Sequence, residues 1–178
     1  MTQWRQSQQS SQRGDTPVGA LGAALLAFAP TVTAQSFPAS NVTLLEHVPL
    51  NAFPSNPSSA NDCWGYVSPS GREYALVGLL DAVAVVELTA AGAQIVASIP
   101  HQSSNWCDIR TYDTYAYAVN ETGGGIDVID LSGVDAGVAT LVNQSTDFGL
   151  QPCHHICVDE VSGYLWLASP NINQGRLV

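Results

Sequence analysis

The residues with the most obvious chemistry form the cluster Cys-His-His-Ile-Cys at positions 153–157. Thiolate and imidazole groups are the preferred protein ligands of zinc. In an extended strand, however, His154 and His155 point to opposite faces, so at most one of them shares a side with Cys153 or Cys157 unless the strand bends. The cluster therefore permits a zinc site without specifying one.

A second set combines the carboxylates of Asp62 and Asp108 with the imidazole of His155. Such groups suit calcium or a transition metal, and a carboxylate pair can serve as acid and base in glycoside hydrolysis. Their spacing matches no known calcium loop, and the sequence contains no G-x-S-x-G string. We therefore predict no metal, no cofactor and no catalytic residue, with calcium and zinc kept as alternatives that no motif supports.

Three consecutive glycines at 123–125 follow Glu121 and Thr122. A phosphate-binding loop needs a following helix and usually a lysine, and this sequence has no lysine at all. Glycine readily adopts positive φ, which tight hairpins require. This segment is therefore predicted to be a hairpin between two strands.

Composition narrows the range of partners. The 178 residues include five Arg and fifteen Asp plus Glu, for a formal net charge of -10. This charge disfavours nucleic acid and anionic membrane surfaces as partners. Hydrophobic residues make up 46% and charged residues only 11%, which indicates a folded chain. An extracellular protein or a carbohydrate is the expected ligand.

The first 34 residues are predicted to be a secretory signal. An apolar run of twelve residues at 18–29 precedes Val32-Thr33-Ala34, a small-residue cleavage pattern. The run is too short for a bilayer core, which needs about 20 apolar residues. Residues 35–41 then form a short linker, and the protein is expected to be secreted or held at the cell surface. An uncleaved anchor segment is the alternative.

Secretion would place the four cysteines in an oxidising compartment, where we expect disulfides. Three complete pairings remain open among Cys63, Cys107, Cys153 and Cys157. In one extended strand Cys153 and Cys157 would lie about 13 Å apart, too far for a bond, so we expect bonds between segments. Three sequons also predict N-glycosylation, at Asn41, Asn120 and Asn143.

The sequence from residue 42 onward repeats itself. Residues 74–89 align without a gap on residues 117–132, an offset of 43. Each unit is predicted to hold four strands, the size of one β-propeller blade. First strands are expected to begin at Trp64, Trp106 and His155, and fourth strands to span 43–50, 93–100 and 139–146. We therefore predict an all-β chain of four-stranded antiparallel blades, with about three blades over 42–178 forming a partial propeller. An antiparallel sandwich is the alternative.

In such units the entry loops and the glycine hairpin share one face, and the first strand is innermost. The residues expected to face a binding region there are Asp62, Trp64, Asn105, Trp106, Asp108, Glu121, His154 and His155. A tryptophan that recurs in a repeat is more often a packing residue than a stacking platform.

Three strings in this region resemble the LVIVD-repeat proteins of the choice-of-anchor B family. They are NDCWGYVSPSGREYALVG, WCDIRTYDTYAYAVNE followed by GGGIDVIDLS, and HHICVDEVSGYLWLAS. The resemblance covers about residues 42–178 and implies a secreted or surface-exposed β-propeller with no generally established activity. Because only about three blades are visible, we expect the chain to be truncated, with any membrane attachment made through an anchor that it lacks.

Two functions follow from these expectations. The preferred one is a binding or interaction scaffold. The alternative is an extracellular hydrolase or lyase that draws its acid and base from Asp62, Asp108 and His155.

Overall fold

The computed structural model of the chain describes residue 44 and residues 46–178. The predicted signal, the linker and the sequon at Asn41 lie outside these residues. The described part is all-β, with short 3-10 turns and no α-helix. Its strands are β1 Ala60–Val67, β2 Glu73–Leu79, β3 Ala82–Thr89, β4 Gly92–Pro100, β5 Cys107–Tyr112, β6 Tyr115–Asn120, β7 Ile126–Asp130, β8 Thr140–Ser145, β9 His155–Asp159 and β10 Tyr164–Ala168. The 3-10 turns are Leu50–Ala52, Val134–Ala136, Asp147–Gly149 and Asn173–Gly175.

No helix in the described residues is long and apolar enough to cross a bilayer.

The strands form three antiparallel sheets. Sheet 1 has the order β1-β2-β3-β4, sheet 2 has the order β5-β6-β7-β8, and sheet 3 pairs β9 with β10. Neighbours in the sequence are neighbours in each sheet, so each sheet is a simple meander.

The apolar sequence of β3 reflects burial on both faces of sheet 1. Val83 and Val85 pack against sheet 2. Ala84 and Val86 point the other way and pack against Phe53, which precedes β1. Burying a valine side chain contributes about 1.5–3 kcal/mol, so these contacts hold the sheet between two apolar layers.

Sheets 1 and 2 repeat the same backbone irregularity. The register between β3 and β4 shifts at Val85/Val86, and the register between β7 and β8 shifts at Val128/Ile129, 43 residues later. This is the offset of the sequence repeat. The two sheets are therefore copies of one structural unit.

The pairing register of the two copies differs by two residues. Tyr74 lies opposite Glu87, whereas Tyr117 lies opposite Val128 instead of Asp130. The turn before β3 is residues 80–81, and the turn before β7 is the longer segment 121–125. Because the shift is an even number of residues, each side chain stays on its original face.

Sheet 2 lies between the other two sheets. Ile109 and Ile129 on one face pack against sheet 1, and Val119 packs with Ile156 and Leu167 of sheet 3. The first strands are adjacent, since β5 contacts both β1 and β9.

Sheet 3 is extended by the end of the chain. The N–H of Leu167 donates to the carbonyl of Val178 at 2.7 Å, and the N–H of Val178 donates back at 3.2 Å. This pairing lies next to β10, where a third strand of a meander belongs.

A charged cluster also joins sheet 1 to sheet 2. Arg72 donates to both carboxylate oxygens of Glu87, at 2.7 and 2.6 Å, and to the carbonyl of Asp135 at 2.5 Å. The hydroxyl of Tyr74 donates to the Asp135 carboxylate at 2.8 Å. Burial, followed by this hydrogen bond, raises the pKa of Tyr74 to about 12. The cluster therefore fixes the 3-10 turn of sheet 2 against the two central strands of sheet 1.

Two expected strand positions are wrong. The segment 43–50 is no strand where it is described, because residues 46–49 are irregular and a 3-10 turn begins at Leu50. Among the first strands, β9 begins at His155 as expected and β5 begins at Cys107, next to Trp106, but β1 begins at Ala60, well before Trp64. The two tryptophans are therefore not equivalent, since Trp64 pairs inside β1 and Trp106 lies in the preceding loop.

The expected disulfides are absent from the structure, where all four cysteines are free thiols. Cys107 and Cys153 are buried, and Cys63 and Cys157 are exposed. Burial raises the pKa of the Cys107 thiol to about 12, which keeps it protonated and unreactive.

Candidate functional site

The first strands of the three sheets begin at the same end of the molecule and line an open pocket of about 340 Å3. We call it the entry pocket. It is lined by Asn61, Asp62, Trp106, Cys107, Asp108, Arg110, His154 and His155. Five of these residues were expected there from the sequence. The structure therefore brings most of the expected set into one place.

Two aspartates in the pocket make the same kind of contact. The carboxylate of Asp62 on β1 accepts the backbone N–H of Ile109 on β5 at 2.9 Å. The carboxylate of Asp108 on β5 accepts the N–H of Ile156 on β9 at 2.6 Å. Each contact ties the first strand of one sheet to the first strand of the next. We call this repeated contact the aspartate tie.

Arg110 links the two ties. Its Nη1 donates to Asp108 at 2.9 Å and lies 3.4 Å from Asp62. The guanidinium stacks over the ring of Trp64 at 4.2 Å, and the indole N–H donates to the Thr111 hydroxyl at 3.1 Å. Trp64 is therefore a packing partner for Arg110 at the junction between β1 and β5.

His155 has a neighbour at each ring nitrogen. Its Nδ1 lies 2.7 Å from the carboxylate of Asp108, and its Nε2 lies 3.5 Å from Nη2 of Arg110. A neutral ring that donates from Nδ1 accepts at Nε2, so both neighbours are matched by a single tautomer.

Burial is the main influence on the Asp108 carboxyl, and it raises the pKa above the ordinary value of 3.8. Asp62 raises it further. The Ile156 N–H opposes burial most strongly, followed by the charges of Arg110 and His155. Burial outweighs them, so this carboxyl holds a proton more tightly than a free aspartate does.

Trp106 and Asn105 lie in the loop before β5 and are exposed, with the tryptophan 57% exposed. Ser104 fixes this loop, because its hydroxyl donates to the Trp106 carbonyl at 2.8 Å and accepts the Trp106 N–H at 3.2 Å. The indole is therefore held at the mouth of the pocket by its backbone. It does not belong to the apolar core.

The glycine hairpin lies at the same end, as the sequence predicted. The buried side chain of Asn120 organises it, because Oδ1 accepts the N–H groups of Thr122 at 2.9 Å and of Gly123 at 3.0 Å. Gly125 has a φ of +75°, and a Cβ there would lie 2.0 Å from the carbonyl oxygen of Ser145. Only glycine fits that position.

The hairpin also contacts the loop that leads into β9. The N–H of Gly125 donates to the carbonyl of Gln151 at 3.0 Å, and the N–H of Cys153 donates to the carbonyl of Asn120 at 2.9 Å. The carboxylate of Glu121 pairs with Nδ1 of His154. Glu121 and His154 are both exposed at this surface.

The described sequons differ in access. Asn120 is only 4% exposed, and its oxygen is already used inside the hairpin. Asn143 lies on β8 and is exposed. An attached glycan therefore fits Asn143 and would force Asn120 out of its loop.

The two cysteines of the Cys-His-His-Ile-Cys cluster lie in different surroundings, one buried and one exposed. The buried thiol of Cys153 contacts the carbonyls of His155 and Ala168, each at 3.4 Å. Cys157 is exposed and lies opposite Trp166 on the outer face of sheet 3. In the described part of the chain, no three His, Cys, Asp or Glu side chains are grouped as metal ligands would be.

No family model, no curated protein and no solved structure matches this chain. The resemblance to LVIVD-repeat proteins therefore stays a prediction.

Arg110, which joins the two aspartate ties, was not among the site residues expected from the sequence. A signal for it was present, because Arg110 lies two residues after Asp108 in a strand and so shares its face. The partners of the two aspartates are backbone N–H groups, which every residue type except proline has. The sequence therefore could not identify them, because the contact depends on which strands lie side by side.

Proposed function

We propose that this chain is part of a secreted or cell-surface protein built from β-propeller-like units, and that it acts as a binding scaffold. The repeated aspartate tie supports the propeller-like arrangement. Each tie joins the first strands of consecutive sheets at the same end, as expected for blades around a common axis. The LVIVD-like strings agree with this proposal.

The face of each sheet that points toward the next unit along the chain also supports the propeller-like arrangement. The second strand of each sheet carries an aromatic residue there. Sheet 2 buries Tyr74 to 1% exposure, and sheet 3 partly covers Tyr117. Trp166 of sheet 3 is 42% exposed. We expect a further unit of the same kind to cover it in the working protein.

The observation that favours a scaffold over a hydrolase or lyase is that the titratable side chains of the entry pocket are already bonded to neighbouring groups of the protein. Asp108 already accepts bonds from Ile156 and Arg110 and contacts His155, whose second nitrogen faces Arg110. An acid-base pair needs an atom that can reach the substrate. These groups instead hold the sheets together.

The exposed part of the surface favours a carbohydrate as the ligand. Trp106 presents a flat apolar ring, and Glu121 and His154 offer hydrogen-bonding groups at the same end. A sugar has an apolar C–H face and a rim of hydroxyls, so it matches an aromatic platform beside polar groups.

A glycan array probed with the full chain tests this function. We expect the wild-type protein to retain at least one oligosaccharide and Trp106→Ala to lose it. Trp166→Ala is the matched control, because it removes an exposed tryptophan outside the entry pocket. Equal retention by Trp106→Ala and wild type would contradict the proposed site. Release of shorter sugars from the retained oligosaccharide would favour the hydrolase.

A further inference from the structure

A second cavity lies at the other end of the first strands and has a volume of about 490 Å3. We call it the distal pocket. It is lined by Tyr66 and Val67 at the end of β1, by Thr111, Tyr112 and Asp113 at the end of β5, and by Glu160 after β9. Its volume lies in the range of about 300–1,000 Å3 that is usual for small-ligand sites.

The distal pocket carries negative charge that nothing in the described residues neutralises. Asp113 and Glu160 both line it. Among residues 46–178, neither carboxylate takes part in a salt bridge. No lining residue is basic. The net charge of -10 adds a long-range field that attracts cations.

The turns at this end do not need these two charges. Asp113 occupies a left-handed position, with φ of +53°, which asparagine adopts as readily as aspartate. The turn after β9 is held by Asp159, whose carboxylate accepts the Ser162 hydroxyl at 2.6 Å and the Val161 N–H at 3.0 Å. Glu160 takes no part in those bonds.

Aromatic rings complete the wall. Tyr112 is 38% exposed, so part of its ring is open to a ligand. Tyr66 is only 7% exposed, and its hydroxyl finds no hydrogen-bond partner in the described part of the chain. Aromatic faces attract cations, and guanidinium groups stack on them well.

We propose that the distal pocket binds an organic cation, a guanidinium or ammonium group, between the carboxylates of Asp113 and Glu160 and the ring of Tyr112. The carboxylates neutralise the charge and the ring packs against the flat or alkyl part of the ligand. This site is independent of the entry pocket and of the proposed scaffold function.

Calorimetric titration of the full chain at low salt tests the proposal. The probe is N-acetyl-arginine amide, and the matched uncharged probe is N-acetyl-citrulline amide. The variant Asp113→Asn/Glu160→Gln keeps side-chain shape and removes both charges. The control Asp81→Asn/Asp147→Asn removes two charges at the opposite end. A triarginine peptide and spermidine then distinguish a basic peptide from a free polyamine as the source of the cation.

We expect saturable binding of the arginine probe, no binding of the citrulline probe, and affinity about tenfold lower in the Asp113→Asn/Glu160→Gln protein. The control protein should bind within about twofold of wild type, because its changes lie outside the pocket. Absence of saturable binding by wild type overturns the proposal. Equal loss in the control also overturns it, because net charge alone would then explain the attraction. Tyr112→Leu should weaken binding without changing the salt dependence.

Discussion

Replacing Asp108 with alanine should destabilise the protein more than the same replacement at Asp62. The change removes the acceptor of the Ile156 N–H and the partner of Arg110. A buried N–H without an acceptor costs about 1–3 kcal/mol, and breaking a buried charge pair costs about 3–5 kcal/mol. Arg110 keeps its hydrogen bond to the Ile109 carbonyl, which offsets part of the cost of losing its carboxylate partner. The two costs therefore do not add in full. We expect a loss of about 3 kcal/mol.

Asp62 provides the internal comparison. Its side chain is 27% exposed and lies 3.4 Å from Arg110, compared with 9% and 2.9 Å for Asp108. Asp62→Ala should therefore cost about 1–1.5 kcal/mol, chiefly through the Ile109 N–H. The control Asp147→Asn alters an exposed carboxylate and should change stability by less than about 0.5 kcal/mol.

Urea unfolding followed by circular dichroism measures these differences, provided that the slope against urea stays the same among the variants. A cost below about 1 kcal/mol for Asp108→Ala would refute the reasoning, since it falls under the range for one buried N–H. A larger cost for Asp62→Ala than for Asp108→Ala would refute it as well.

Three further predictions concern the pH dependence of stability, the labelling of the thiols and self-association. Because the pKa of Asp108 is raised above 3.8, the added stability that comes from protonating this carboxyl is complete below the unfolded pKa and is lost as pH rises through the folded pKa. Urea unfolding across pH should show this loss in wild type but not in Asp108→Asn. Iodoacetamide at mildly alkaline pH, read by mass spectrometry, should label Cys63 and Cys157 before the buried Cys107. Light scattering should show self-association that Trp166→Arg reduces, because that residue lies on an exposed sheet face.

Much of the fold was predictable because it depends on short-range patterns. The 43-residue offset found in the sequence is also the separation between the backbone irregularities of sheets 1 and 2. The pairing register was not predictable, because it depends on turn length: the longer turn at 121–125 moves Tyr117 opposite Val128. A gapless alignment cannot reveal such a shift, since an even displacement leaves the apolar pattern unchanged.

The sequence indicated some of the residues that line the entry pocket, but it indicated neither Arg110 nor the bonding. The meander places Asp62, Asp108 and His155 at one end, as the sequence indicated. The sequence pattern predicts that Trp64 and Trp106 both begin a first strand. In the structure, Trp64 packs against Arg110, whereas Trp106 is exposed in a loop. A repeated residue type therefore did not identify a repeated position here.

The most direct test of the central claim compares Asp108→Ala with Trp106→Ala in the same two assays, glycan-array retention and urea unfolding. We assign Asp108 to holding the sheets together and Trp106 to contacting the ligand. We predict that Asp108→Ala lowers stability and keeps binding at a temperature where the variant is folded, and that Trp106→Ala keeps stability and loses binding. Loss of binding in folded Asp108→Ala, with binding kept in Trp106→Ala, would contradict this assignment.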